Sequence, residues 1–134
     1  MEIRFATPKD IDFIKSYDKH MLLTKLPAKV KGKEYLIAML NDKAVGLLRY
    51  NYFWDNTPFI NMLYVKKEHR SKGIGKELMG FFEQEMKKES HDIIMTSTLS
   101  NENAQHFYRK LGYQDKGCLM LENEALEIIF VKNI

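Results

Sequence analysis

The residues best suited to chemistry are Arg70-Ser71-Lys72-Gly73-Ile74-Gly75-Lys76, a short basic stretch punctuated by two glycines. Its chemistry is anion binding. The first backbone N–H groups of a helix have no partners within it, so a loop that opens a helix presents a row of donors to a phosphate. Gly73 and Gly75 lack a Cβ, which permits unusual dihedrals and close approach of a ligand. Arg70, Lys72 and Lys76 add positive charge. Two other phosphate loops do not fit. A dinucleotide-binding GxGxxG needs a third glycine where Leu78 stands, and a Walker loop needs Gly-Lys-Ser/Thr. Taken alone, the stretch also fits a helix start whose glycines only turn the chain, and it does not say which phosphorylated ligand would sit there.

Such a loop needs a strand before it and a helix after it. Phe59-Ile60-Asn61-Met62-Leu63-Tyr64-Val65 is nearly continuous apolar sequence, the pattern of a central strand covered on both faces. Ile74, Leu78, Phe81, Phe82 and Met86 recur at helical spacing, with charged residues on the remaining faces. Upstream, alternating Ile3 and Phe5 give a first strand. Thr7-Pro8-Lys9-Asp10 supplies an N-cap, a first-turn proline and an acidic third residue, so a helix follows from about Pro8. Pro27 and Gly32 break residues 18–33 into short helices and loop. Residues 35–40 and 44–50 read as strands joined by the hairpin turn Asn41-Asp42-Lys43, and residues 54–58 as a second turn. Downstream come a strand over 92–99, a helix over 100–110 and two closing strands near 118–121 and 126–131.

A chain of 134 residues has the length of a single domain, so 1–134 reads as one unit. With 45% apolar and 29% charged residues it has the composition of a globular protein and not of a disordered one. The net charge of +3 comes from residues scattered along the chain, with no basic stripe interleaved with aromatics, so nucleic-acid binding has little support. The lone Cys118 cannot form an internal disulfide. The start Met1-Glu2-Ile3-Arg4 lacks the apolar stretch of a secretory signal, and no run of about 18 apolar residues provides a membrane span. A cytoplasmic protein without a membrane partner is the expectation. No HxxxH or CxxC spacing points to a metal.

The stretch Arg70–Gly75 resembles the R/Q-x-x-G-x-G/A motif of the GCN5-related N-acetyltransferase (GNAT) superfamily. Asn101-Glu102-Asn103-Ala104-Gln105-His106-Phe107-Tyr108-Arg109-Lys110-Leu111-Gly112-Tyr113 is similar to that family's N-x-x-A-x-x-x-Y-x-x-x-G-F/Y segment, and the order of elements fits along the whole chain. Ser71 stands where glycine is common and His69 where another aromatic is common; neither change removes a backbone donor. The resemblance implies an α/β (α+β) fold: a mixed, mostly antiparallel central sheet flanked by helices, with two central strands splayed apart around pantetheine. It implies acetyl-CoA as acetyl donor. By motif position, the segment Leu63, Tyr64 and Val65 would pair with pantetheine. Arg70, Ser71, Lys72, Gly73, Ile74, Gly75 and Lys76 would hold the pyrophosphate, Asn101 would contact the pantetheine arm and Phe107 would pack near the cofactor. Tyr108 takes the place of the tyrosine that protonates the leaving sulfur in many members, packing at the base of its helix being the alternative. Family members often dimerise, so a homodimer is a further expectation by analogy.

Acetyl transfer to an amine needs a neutral nucleophile, a stabilised oxyanion and a proton for the thiolate. The resemblance puts the oxyanion donor at a backbone N–H near Leu63. Glu68 and His69 flank the loop but suit solvated or capping roles, leaving a water chain or an already deprotonated amine for the base. His106 reads as an exposed or partly packed helical residue. Tyr50, Tyr52, Phe53 and Trp54 read half as core and half as lining for the acceptor site. An acidic cleft would favour polyamines or aminoglycosides, with Asp55, Glu102, Glu122 and Glu124 available. The reading is thus an enzyme acetylating a primary amine of a small molecule or protein, against a non-catalytic CoA-binding module.

Overall fold

In the computed structural model, which describes residues 1–134, the chain begins as the edge strand β1 (Glu2–Phe5) and returns beside it as β2 (Tyr35–Leu40). Between them it crosses one face of the sheet as a 3₁₀ turn (Pro8–Asp10), α1 (Ile11–Tyr17) and α2 (Leu26–Lys31). Asp10 anchors the start of this crossing. Its carboxylate accepts the Thr7 N–H at 2.7 Å and two bonds from the Arg4 guanidinium at 2.8 and 3.0 Å. Asn41 and Asp42 then turn β2 into β3 (Lys43–Phe53), both left-handed with φ of 50° and 62°, as a short hairpin turn requires.

A second left-handed pair, Trp54 and Asp55, leads into β4 (Thr57–Val65). The basic loop comes next, then α3 (Ile74–Lys88), β5 (Ile93–Leu99), α4 (Ala104–Lys110), β6 (Gln114–Leu119) and β7 (Glu127–Asn133). The seven strands form one sheet in the order β1-β2-β3-β4-β5-β7-β6. Only β4 and β5 run parallel, because α3 carries the chain across between them; every other pairing is antiparallel. One apolar core lies between the sheet and α3, where Leu78, Phe82 and Met86 are fully buried, with Tyr108 of α4 joining it. A smaller core under α1 and α2 holds Ile14, Leu26 and Val30.

Two irregularities of β4 open the sheet and aim its side chains. Its parallel pairing with β5 consists of Phe59 opposite Met95 and Ile60 opposite Thr96, after which the strands part. Against β3, Arg49 faces Met62 but Tyr50 faces Ile60, so Asn61 is an extra residue, a β-bulge. The bulge resets the alternation of side chains. Ile60, Leu63 and Val65 all reach the core under α3, while Met62 and Tyr64 reach the core under α1.

Several element ends differ from the sequence reading. The helix expected over 100–110 begins only at Ala104, because Glu102 Oε1 accepts the Leu99 N–H at 3.3 Å and Gln105 Nε2 donates to the carbonyls of Ser100 and Glu102 at 2.8 Å. The closing strands lie at Gln114–Leu119 and Glu127–Asn133 instead of near 118–121 and 126–131. β6 is the outer edge of the sheet and every residue of it is exposed, so its sequence carries no apolar signature.

Candidate functional site

Where β4 and β5 part, the sheet opens towards α3 and α4 into a cleft of about 400 Å³. The basic loop forms its floor. Ser71 and Gly73 are left-handed, with φ of 63° and 84°, and this turns the backbone N–H groups outward before α3 begins. None of the N–H groups from Ser71 to Lys76 donates to a backbone or side-chain acceptor; the first bond of α3 is Glu77 N–H to the Gly73 carbonyl at 3.0 Å. Six consecutive positions therefore offer free donors at the positive end of a helix dipole. A Cβ on Gly75 would lie 3.4 Å from the Phe107 ring, so glycine there keeps the loop against α4.

Leu63, Val65, Arg70, Ser71, Gly73, Ile74, Gly75, Lys76, Phe107 and Tyr108 line this cleft together with His69 and Ala104. Three expected positions do not. The Tyr64 ring lies on the opposite face of the sheet, stacked on Tyr17 with centroids 5.0 Å apart, because side chains alternate along a strand. The Lys72 side chain is exposed outside the cleft. Asn101 is exposed on the turn after β5 and does not line this cleft. Arg70 borders the cleft but its Nε donates to the Val65 carbonyl at 2.8 Å and its guanidinium covers the Tyr64 ring, which ties the loop to the end of β4.

Tyr108 stands at the base of the cleft, 5% exposed, packed edge-on to Phe107 and Tyr113. Burial pushes its hydroxyl up to about 12, with the nearby Thr96 hydroxyl acting in the opposite direction. Tyr108 therefore keeps its proton throughout the physiological range. On the far side of the splay lies a second cleft of about 590 Å³, and Leu63, Ala104 and Tyr108 line both. The phenol sits in the wall between two chambers.

The second cleft also receives His20, Arg49, Thr96, Thr98, Glu102, Glu124 and Glu127. Arg49 is held: its Nε donates to Asp18 Oδ2 at 2.7 Å, and Asp18 also accepts the Tyr35 hydroxyl at 2.8 Å and the His20 N–H at 3.2 Å. Burial alone would raise the Asp18 carboxyl, but the bonds from Arg49 and Tyr35 outweigh it and hold the pKa below the usual carboxylate value. Neither Asp55 nor Glu122 borders this cleft, and neither does the aromatic stretch. Tyr50 is buried core, while Phe53 and Trp54 pack with each other on a separate groove. His106 is exposed and Glu68 is exposed beside Lys66. His69 lies on the loop side, its Nδ1 buried without a partner.

Residues 5–113 match the family model described as acetyltransferase (GNAT) family. The chain belongs to this family. An uncharacterized N-acetyltransferase of Methanocaldococcus jannaschii is 27% identical over 128 residues, covering 89% of this chain and 81% of the relative. Among solved structures, Ard1 of Thermoplasma volcanium superposes with a TM-score of 0.84 over 99% of this chain and 97% of its own, at 16% identity. The PaiA N-acetyltransferase of Thermoplasma acidophilum in complex with coenzyme A superposes with a TM-score of 0.80, over 99% and 98% at 18% identity. The GNAT fold read from the two motifs is the fold observed, splayed strands included. As a GNAT protein the chain is an acetyl-CoA-dependent acyltransferase, and the free donors of the loop fit the charge of a pyrophosphate. No signal in the sequence marked Thr96, Thr98 or Glu127, whose convergence depends on the pairing of β5 with β7.

Proposed function

We propose that this GNAT protein moves the acetyl group of acetyl-CoA directly to a primary amine, with both substrates bound at once and Tyr108 as proton donor to the departing sulfur. The observation that carries this reading is the buried, protonated phenol shared by two clefts, one floored by unpaired N–H groups and the other bordered by carboxylates. Acetyl-CoA supplies a thioester-activated acyl group. The N–H groups of Ser71 to Lys76 neutralise the phosphates, and the β5-facing edge of β4 from Leu63 to Val65, which has no strand partner, offers ladder positions to an amide-bearing arm.

The bulge at Asn61 turns the backbone beyond it, and a β4 N–H near Leu63 would stabilise the negative charge that develops on a bound thioester's carbonyl oxygen. The acceptor nitrogen, neutral and in the second cleft, forms the C–N bond as the C–S bond breaks. Tyr108 gives its proton to sulfur and regains one from solvent. The raised pKa keeps the phenol protonated at neutral pH, so a proton is in place when the C–S bond breaks. Glu68 and His69 are on the cofactor side, so the acceptor's proton leaves through the second cleft, bordered by His20. We place the protein in the cytoplasm, whose reducing conditions suit the exposed free thiol of Cys118; no helix is long and apolar enough to cross a membrane.

The test is release of free CoA thiol from acetyl-CoA across an amine panel, together with calorimetric binding of CoA. Amine-dependent release is expected. Tight CoA binding with no amine-dependent release would identify a non-catalytic CoA-binding module instead.

A further inference from the structure

The acetyl-transfer reading leaves the acceptor unnamed, and the second cleft carries an argument about its chemistry that rests on that reading. Glu102 comes from the turn after β5, Glu124 from the loop before β7 and Glu127 from the first residue of β7. None of the three has an ion-pair partner. The only guanidinium in the cleft, that of Arg49, is committed to Asp18. Thr98 lies on the same wall, 7% exposed, its hydroxyl buried and without any hydrogen-bond partner. A buried hydroxyl left unpaired is destabilising unless something completes it; Glu102 and Glu124 are exposed and Glu127 is half-buried, so their like charges favour a cationic ligand in the cleft.

The carboxylates are not arranged as a metal site, since no group of three His, Cys, Asp or Glu side chains is close enough to hold an ion. Their charge is spread along the cleft. It also lies away from the reacting position. Glu127 pairs with Leu99, three residues along β5 from Thr96, the neighbour of Tyr108. At about 3.3 Å per residue the separation is roughly 10 Å. This distance matters because a carboxylate beside the nucleophilic nitrogen would hold it as ammonium, whereas one several ångströms away binds a second ammonium and leaves the first free to deprotonate.

We infer that the acceptor is an elongated organic cation, a linear diamine or polyamine, whose distal positive charge lies along the spread carboxylates of Glu102, Glu124 and Glu127 while a terminal nitrogen reacts beside Tyr108. The experiment measures kcat/KM for butylamine, 1,4-diaminobutane, spermidine and a peptide with a free N-terminus and uncharged side chains, all at saturating acetyl-CoA. Binding of the same compounds to the CoA-loaded protein is measured by calorimetry, in low salt and in 0.5 M salt. The polycations are expected to exceed butylamine and the peptide at least tenfold in both measurements. That preference should fall below threefold in the folded double variant Glu124→Gln/Glu127→Gln, and should shrink in high salt in the unaltered protein. A wild-type preference below threefold, or one unmoved by salt and by the double variant, overturns the inference while leaving acetyl transfer intact. Absence of turnover with every amine overturns acetyl transfer, and calorimetry then still decides the acceptor class.

Discussion

Asp18→Asn removes one negative charge from beneath the second cleft with almost no change in volume, and its effect can be worked out from three hydrogen bonds. The Asp18 side chain is fully buried and Arg49 is 12% exposed, joined at 2.7 Å. An asparagine keeps a partner for the Tyr35 hydroxyl and the His20 N–H but leaves the guanidinium without counter-charge. Breaking a buried pair in this way costs about 3–5 kcal/mol. Arg49 can turn towards the unpaired glutamates of the cleft, which places the loss near 3 kcal/mol and lowers Tm by roughly 10 °C for a chain of this size. The pH dependence fixes the cause. The folded pKa of Asp18 is depressed, so its contribution is fully present above the unfolded value near 4 and is lost as pH falls through the folded value. Urea unfolding of both proteins from pH 7 to pH 3 should therefore show a gap that narrows below about pH 4. A gap under 1 kcal/mol at pH 7, or one that stays constant into acid, would refute the reasoning.

Tyr108→Phe should lower kcat by about 10²-fold or more with KM for acetyl-CoA within threefold, read in the thiol-release assay; Thr96 still donates to the Ile60 carbonyl at 3.0 Å, so the melting temperature should fall by only a few degrees. Gly73→Ala places a side chain at φ 84° with no atom within 4 Å, so the cost is backbone strain of about 1–2 kcal/mol, accompanied by a raised KM for acetyl-CoA. Gly80→Ala, in the middle of α3 with nothing within 4 Å, should instead stabilise by about 0.5–1 kcal/mol with unchanged kinetics, as thermal melts and the same assay will read. Burial raises Tyr35, Tyr50, Tyr108 and Tyr113 above the usual phenol value. Their stabilisation is present below pH 10 and lost as pH climbs towards the folded values, so alkaline unfolding should coincide with a late, cooperative rise in phenolate absorbance.

The basic loop with its free donors was legible because its character is local: glycine dihedrals and the orphan donors of a helix start follow from consecutive residues. The central strand was legible as a strand but not as a bulged one. A run covered on both faces is apolar throughout, so the reset of alternation between Ile60 and Leu63 leaves almost no trace beyond Asn61. Polar side chains shortened α4 by bonding to backbone in the turn before it, and the exposed edge strand β6 had no pattern to read. The Tyr64 ring turns away from the cleft because a motif names a backbone segment and alternation sends every second side chain to the other face. The convergence of Glu102, Glu124 and Glu127 arises only when β7 pairs with β5, a contact between residues far apart in sequence.

The brief seam between β4 and β5 has a mechanical meaning. Two paired positions join one plate of four strands to another of three, with α3 as the connecting strut. Leu63, Ala104 and Tyr108 are walls of both chambers, so any change in the width of one gap is a change in the width of the other. A ligand that bridged the plates would stiffen this seam and set the width of both chambers at once. Ordered addition with acetyl-CoA first is the expected outcome, and product-inhibition patterns check it.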